Sequence, residues 1–452
     1  VLISGQPVQV SASLGVAFYP QDDDIAPDQL MRQADQAMYQ AKLSGKNRFH
    51  VFDPTHDRHL RDHHENLEAV RTALNRQELR LHYQPKINLR TGQVLGAEAL
   101  IRWQHPERGL LGPAHFLPAI ENNPLALDVG KWVVRTALSQ VAEWQAQGLA
   151  LSVSVNIDAQ LLQQPDMVGW LQAELATHPD LPAGSLQLEV LETTALDDMA
   201  HVSDVMRRCS EFGVGFALDD FGTGYSSLTY LKRLPAQELK IDQSFIRDML
   251  DDADDLAILQ GVLGLAAAFQ RSVIAEGVET VAHGRMLLRL GCERAQGYAI
   301  ARPMPADSLP DWVRTWQPDT SWTALQTVAA EDLPVLFAAA NHMAWVQAFQ
   351  ASLSGKATTL PLMDLHHCRV GKWLNSPATR QRHSASPWMA HIQTLHDALH
   401  AQAGTLLAQP ATSPRNPESP TQAQALAQLN QLSASLHGAL LALADRAEFT
   451  PG

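Results

Sequence analysis

Near the start of the chain, in VQVSASLGVAFYP, apolar and polar residues alternate with period two, which predicts a β-strand. In the following DQLMRQADQAMYQAKLSGKNRF the period lengthens to that of a helix, and Leu30, Ala34, Ala37, Met38 and Ala41 share one face. From about residue 72 to 318, apolar runs of strand length recur as LRLHYQP, VLGAEALIRW, LSVSVNI, LQLEVLE, GVGFALDD, ELKID, SVIAEGV and RAQGYAI. The intervals carry helical patterns, among them 129–147 and 254–269. Eight strands alternating with helices over roughly 250 residues predict an α/β TIM-type (β/α)8 barrel, whose active groups gather at the C-terminal ends of the strands. Beyond residue 318 the strand signal stops and helical periodicity continues, so an all-α unit follows the barrel.

At 452 residues, with 45% hydrophobic and 18% charged side chains, the chain is long enough for two or three domains with substantial cores. A net charge of -14 argues against binding a nucleic-acid polymer through a basic surface, and makes any anionic substrate depend on local cations. Cys209, Cys292 and Cys368 are too few and too scattered for a disulfide framework, so a reducing cytoplasm is the expected compartment. No apolar run reaches the length of a membrane span, and no membrane contact is expected of this stretch. The sequence opens at Val1 within a hairpin-like pattern and without Met, as a fragment would. A full-length protein with a membrane anchor is compatible with that start.

The chemistry concentrates at the predicted strand ends. From the second strand to the eighth, these ends carry Glu98, Asn156, Glu189, Asp219 with Asp220, Lys240, Glu276 and Gln296. One acid at a strand end is ordinarily a helix cap or an ion-pair partner; seven strand ends in register are harder to explain that way. Barrel closure would crowd five carboxylates into one mouth, where only cations relieve their repulsion. Oxygen ligands of this kind favour Mg2+ or Mn2+, with Asp219 and Asp220 as a bridge and second ligand of a two-metal site. Two such ions about 3.5–4 Å apart point to phosphoester hydrolysis by in-line attack.

The ordered set GAEALIRW, SVNI, LEVLE, DDFGTGYSSL, LKID, AEGVE and AQGY resembles the EAL-domain phosphodiesterases, which hydrolyse cyclic di-GMP to linear pGpG. The resemblance implies that Glu98, Asn156, Glu189, Asp219 and Asp220 are metal ligands for two Mg2+ or Mn2+ ions. Lys240 would hold the attacking water, Glu276 would act as base or outer ligand, and Gln296 would complete the polar shell. It further assigns Gln84, Leu100, Arg102 and Asp242 to substrate binding, and Glu192 and Glu279 to bracing the glycine-bearing loop, which Gly222 and Gly224 would let close or swing away. Two positions depart from the family pattern: Leu191, where threonine is common, and Ile300, where many relatives carry an aromatic residue. The first would loosen the loop brace and the second would weaken guanine contact.

The ends of the chain carry resemblances of their own. SASLGVAFYP followed by ADQAMYQAKLSGKNRF resembles the C-terminal end of a GGDEF diguanylate cyclase domain, without the glycine-glycine-acidic signature, so no cyclic di-GMP synthesis is expected here. Near the other end, His396 and His400 stand at i and i+4 on one helix face, alongside His342 in HMAW and Cys368 in HHCRVGKW. This region resembles the chemoreceptor zinc-binding (CZB) domain, a four-helix bundle. The resemblance implies one Zn2+ on His342, Cys368, His396 and His400, with His366, His367 and His391 as substitutes, and Trp345, Gly371 and Trp373 as packing residues. The expected layout is a GGDEF remnant over 1–53, a linker helix over 54–71, the barrel over 72–318, a linker over 319–330 and the bundle over 331–448. Its last helix, 421–448, would follow the polar PATSPRNPESPT connection, a long loop for a compact bundle. Two functions are in play: a zinc-tuned cyclic di-GMP phosphodiesterase, expected as a homodimer, and a silent cyclic di-GMP receptor with a structural zinc.

Overall fold

The computed structural model describes residues 2–3, 6–7, 11–21, 25–192, 198–223, 228–408 and 420–449. The chain forms two compact units: Val1–Arg80 with Trp103–Leu125, and Leu81–Arg102 with Ala126–Gly452.

In the first unit, a strand at Leu14–Val16 pairs in parallel with Phe49–Val51, and the helix Pro27–Leu43 packs against both. Ala37 and Ala41 of the predicted apolar face are buried. A second helix, Pro54–Asn75, runs past the expected linker and packs on a short helix at Leu117–Ile120. Of the strand expected over VQVSASLGVAFYP, Leu14–Val16 is strand; Ser11 to Ser13 and Ala17 to Pro20 are not, and Val8 to Val10 fall outside the described residues.

The eight barrel strands are β1 (Leu79–Asn88), β2 (Val94–His105), β3 (Ser152–Asn156), β4 (Leu186–Leu191), β5 (Gly215–Phe221), β6 (Glu238–Ile241), β7 (Ser272–Ala275) and β8 (Arg294–Ala295). They hydrogen-bond in the order β1-β8-β7-β6-β5-β4-β3-β2, and β1–β2 pairing closes the ring. Strands β2 to β8 are mutually parallel along β2-β3-β4-β5-β6-β7-β8. The first strand departs from the all-parallel expectation: β1 is antiparallel to β8, with Arg294 opposite Asn88 and Ala295 opposite Ile87. Its residues therefore descend from the mouth as the numbering rises, and Gln84 reaches the mouth although it lies in the middle of the strand. Strand β8 is also shorter than RAQGYAI suggested, spanning Arg294–Ala295; the Gln296 N–H still donates to the Ala275 carbonyl of β7, and Gly297 follows at φ 159.

Two helices of the barrel meet the C-terminal bundle: α1 (Ala253–Ala268) and α2 (Val281–Leu290). Asp252 caps α1, its Oδ1 accepting from the Asp254 and Asp255 N–H groups. The segment expected as a linker at 319–330 packs along α2. Trp322, 1% exposed, donates to the Val281 carbonyl, and the Val328 N–H donates to that of Arg289.

The bundle consists of long helices α3 (Leu333–Leu353), α6 (Pro387–Ala408) and α7 (Pro420–Ala444), with short α4 (Arg369–Asn375) and α5 (Pro377–His383) filling the remaining side. Helix α7 packs on α3 and α6, α4 packs on α3, and α3 packs on α1 of the barrel. Most of the PATSPRNPESPT connection lies outside the described residues. At the base of the bundle, buried Asp332 accepts from Arg382 and from both Nε and Nη2 of Arg446; these hydrogen bonds, Arg382 first, hold its carboxyl down to about 2.

Candidate active site and metal centre

Each strand end in the barrel lifts one polar group out of an apolar ladder, so the groups share a layer without sharing a local sequence. Glu98 accepts from Asn156 Nδ2 at 2.7 Å and from Gln296 Nε2 at 2.6 Å. Gln296 Nε2 also reaches Gln84 Oε1 at 2.9 Å, and Gln84 Nε2 donates to the Ala301 carbonyl. Gln296 Oε1 is buried with no partner among the described residues, an acceptor aimed into a polar mouth.

Lys240, 1% exposed, is the hub. Its Nζ lies 2.6 Å from Glu189 Oε2, 2.7 Å from Glu276 Oε1, 3.0 Å from Asp219 Oδ2 and 3.6 Å from Glu98 Oε1. Burial works to lower its pKa, yet these carboxylates, Glu189 foremost, raise it well above the usual lysine value. An ammonium with four carboxylates around it holds its proton and serves as a hydrogen-bond donor. Glu276 behaves in the opposite way. Burial pushes its carboxyl up to about 8 against the pull of Lys240, with Glu98, Asp219 and Glu189 adding to the rise.

The paired aspartates differ from each other. Asp219 is buried at the end of β5, whereas Asp220 adopts φ 53, a left-handed conformation that costs a non-glycine residue energy and that clusters at functional sites. Burial and then the charges of Asp219 and Asp242 push the Asp220 carboxyl up to about 6. Ligand oxygens of Asp219, Asp220 and Glu276 lie within 4.8 Å of one another, close enough to share one cation. An acidic trio of this kind, one member strained and two protonated more readily than usual, fits divalent ions held by oxygen.

The flanking residues are placed as follows. Arg102 is half-buried, donates to the Ile101 carbonyl and has its pKa lowered by burial; Leu100 is half-buried on the same strand. Asp242 caps the helix Gln243–Asp248 through its Oδ1 and interacts with Asp220, so it touches the aspartate pair directly. Glu192 Oε2 accepts from the Gly222 N–H at 3.2 Å, tying the end of β4 to the loop after β5. Gly222 has φ 102, and a Cβ there would meet the Phe245 ring at 3.1 Å, so glycine is required. Glu279 is exposed, and its backbone N–H donates to His283 Nδ1; Gly224 and its neighbours, which it was expected to brace, lie outside the described residues. Leu191 is 44% exposed, and Ile300 is buried.

One charged group in this mouth escaped the sequence reading. Lys86 of β1, 5% exposed, places Nζ 2.6 Å from Glu189 Oε1. The signal was present in LRLHYQPKINL: two residues past Gln84 on a strand, Lys86 must share its face.

In the bundle, ligand atoms of Cys368, His396 and His400 lie within 4.8 Å of one another, all three side chains buried. Cys368 caps α4, its Sγ accepting from the Gly371 N–H at 3.2 Å and lying 3.2 Å from His396 Nε2. Gly371 is needed because a Cβ there would run into the Leu365 carbonyl oxygen of the loop that carries the thiol. His400 Nδ1 lies 2.9 Å from the Met363 carbonyl, which leaves Nε2 as the lone-pair nitrogen suited to a metal. Burial pushes Cys368 up and His396 down to about 4, so the site disfavours charge until a cation enters. His342 is buried and lines the same cavity of about 520 Å³, but it stands outside the trio: its Nε2 contacts the Ser433 hydroxyl at 3.0 Å and the Ser433 carbonyl at 3.1 Å. The substitutes His366 and His367 are exposed and His391 is half-buried; Trp345 stacks on Phe349 and lies over His400, and Trp373 is half-buried. Asp251, Asp252 and Asp254 of the barrel border the same cavity.

Residues 67–303, more than half of the chain, match the EAL domain family; residues 342–407 match the chemoreceptor zinc-binding domain, and residues 1–48 match the diguanylate cyclase GGDEF domain. The bifunctional diguanylate cyclase/cyclic di-GMP phosphodiesterase MucR of Pseudomonas aeruginosa is 42% identical over 308 residues, covering 68% of this chain and 45% of MucR. The cyclic di-GMP phosphodiesterase PdeR of Escherichia coli is 35% identical over 311 residues, 68% of this chain and 46% of PdeR. A solved MucR phosphodiesterase in complex with c-di-GMP is 43% identical with a TM-score of 0.52, covering 54% of this chain and 99% of that one. The chain thus spans about half the length of the curated relatives it matches. Among the described residues no helix is long and apolar enough to cross a membrane. On the barrel's topology, its mouth and these matches, the chain belongs to the EAL domain family.

Proposed function

We propose that the barrel hydrolyses cyclic di-GMP to pGpG, with two Mg2+ or Mn2+ ions held by Glu98, Asn156, Glu189, Asp219 and Asp220. The observation that carries this reading is the crowding of Glu98, Glu189, Asp219 and Glu276 around the single ammonium of Lys240, with strained Asp220 beside them. Such a mouth repels an anionic phosphodiester until cations enter it. When bound, the ions would neutralise the phosphate and acidify the attacking water. Lys240 would orient that water as a hydrogen-bond donor, and Glu276, 2.7 Å from the same ammonium, would accept a proton from it once the ions offset the neighbouring carboxylates. Arg102 offers a guanidinium to a phosphate oxygen, and Gln84, Leu100 and Asp242 border the substrate. The loop after β5 is held through Glu192 and Gly222, so its position tunes Asp220 next door.

A silent receptor would not need a complete set of ligands, and every expected member is present here, which favours the enzyme. The test is incubation with cyclic di-GMP and Mg2+ or Mn2+. Formation of pGpG is expected, and Glu98→Ala should abolish it; a parent protein that yields no pGpG at any concentration of either cation refutes the reading.

For the bundle, Cys368, His396 and His400 are proposed to hold one Zn2+, with His342 as the fourth ligand once released from Ser433. Zinc would modulate the barrel through the contacts that join the two, Arg289 with Asp445 and Arg369 with Asp254. Turnover measured with and without a zinc chelator tests the modulation.

A further inference from the structure

Glu189 is held by ammonium groups on both oxygens: Lys240 takes Oε2 and Lys86 takes Oε1, each at 2.6 Å. The two lysines are not equivalent. Lys240 is shared among four carboxylates, whereas among the described residues Lys86 pairs with Glu189 and has Gln187 Oε1 at 3.5 Å as its further contact. They also sit at different depths. Because β1 runs antiparallel to β8, Lys86 lies one inward-facing position below Gln84, and its contact with Gln187 places it between the Glu189 layer and the layer beneath. A cation that displaces Lys240 from Oε2 therefore leaves Oε1 held by Lys86.

We propose that Lys86 is a positioning residue for the barrel reaction: it pins Oε1 of Glu189, so that Glu189 offers a single oxygen to a divalent cation and lets go of Lys240 without losing its own counter-charge. This inference rests on Glu189 being a cation ligand, as read above. Two consequences follow from the pinning. Lys240 becomes free to face the attacking water, because a buried Glu189 remains paired after Lys240 turns away. The site also favours small cations of strict octahedral geometry over larger ones, since Ca2+ gains from a carboxylate that chelates through both oxygens and Mg2+ does not.

The experiment measures Mg2+ and Ca2+ affinity of the whole chain by titration calorimetry, without substrate, so that no turnover enters the readout. In Lys86→Met, Oε1 is released, and the preference for Mg2+ over Ca2+ should fall about tenfold. Lys86→Gln, which can still donate to Oε1, should restore part of that preference. A Lys86→Met protein that keeps the parent's preference within about twofold overturns the proposal. Crystals of the parent loaded with Mg2+ supply a test that does not depend on the variants folding: Glu189 chelating one ion through both oxygens, or Lys86 withdrawn from Oε1, also overturns it. Glu189→Gln separates the two levels, since Mg2+ bound as tightly as by the parent would remove Glu189 from the ligand set, and the reading beneath this proposal would fail first.

Discussion

Asp445→Ala tests whether the bundle is mechanically joined to the barrel. Arg289 closes α2 with its side chain 2% exposed, and its guanidinium makes two parallel hydrogen bonds to Asp445 just beyond α7: Nε to Oδ1 at 2.8 Å and Nη2 to Oδ2 at 2.7 Å. Truncating Asp445 leaves a buried cation without its carboxylate, a loss of about 3–5 kcal/mol when one side of a buried pair is removed. Asp445 itself is 22% exposed, so water reaches the vacated side and the low end of that range, about 3 kcal/mol, is expected. At 1.36 kcal/mol per decade this corresponds to about 100-fold faster opening of the contact. The assay is hydrogen exchange read by mass spectrometry over 281–290, where amides that exchange through detachment of the bundle should accelerate by that factor. Replacing both partners, Arg289→Met with Asp445→Leu, should recover most of the protection because no charge is then stranded. Exchange in Asp445→Ala within about threefold of the parent would show that the clamp is not closed in solution, and the proposed route from zinc to barrel would lose its firmest link.

Three further outcomes are expected. In buffer without Mg2+ or Mn2+, the raised carboxyls of Glu276 and Asp220 make the folded chain bind more protons than the unfolded one between their ordinary values and about 8 and about 6, so stability should fall as pH rises through that window; melting curves in Glu276→Gln should lose most of the slope, and an unchanged slope would contradict the assignment. Cys368→Ala and His400→Ala should each abolish zinc binding, and the thiolate-to-metal absorption band of the Co2+-substituted protein should vanish in the first; a band that survives would exclude Cys368 as a ligand. Gly222→Ala forces a side chain into a left-handed conformation against Phe245, so a loss of about 1 kcal/mol or more in stability and about tenfold in turnover is expected, whereas parental turnover would detach this loop from catalysis.

What could be read from the sequence divides along a physical line. The barrel, its strand count and the seven polar strand ends were legible because each is a local break in an apolar run, and a closed ring of strands leaves such residues one place to meet. The reversed first strand was not legible, because LRLHYQPKINL has the same alternation in either direction; only its partner decides its sense, and that pairing with β8 spans about 200 residues. Lys86 shares the face of Gln84 in either sense, but the expected strand LRLHYQP stops one residue short of it, and its depth follows only from the strand's direction. In a parallel first strand the position after Gln84 and Pro85 would lead out of the barrel, whereas in the antiparallel strand it leads down into the core, beneath Glu189. The bundle shows the complementary case. The spacing of His396 and His400 on one helix face was enough to bring them to one place, while His342 carried an equally suggestive motif and is held away by Ser433, 91 residues distant in sequence. Helical spacing settles neighbours on one helix, but the choice of an imidazole between a metal and a hydroxyl on another helix is a competition between partners, and its outcome depends on whether the cation is there. The same competition governs Lys240 in the barrel, which occupies the carboxylates that divalent ions would claim, so both sites of this chain are built around groups that must change partners when a metal arrives.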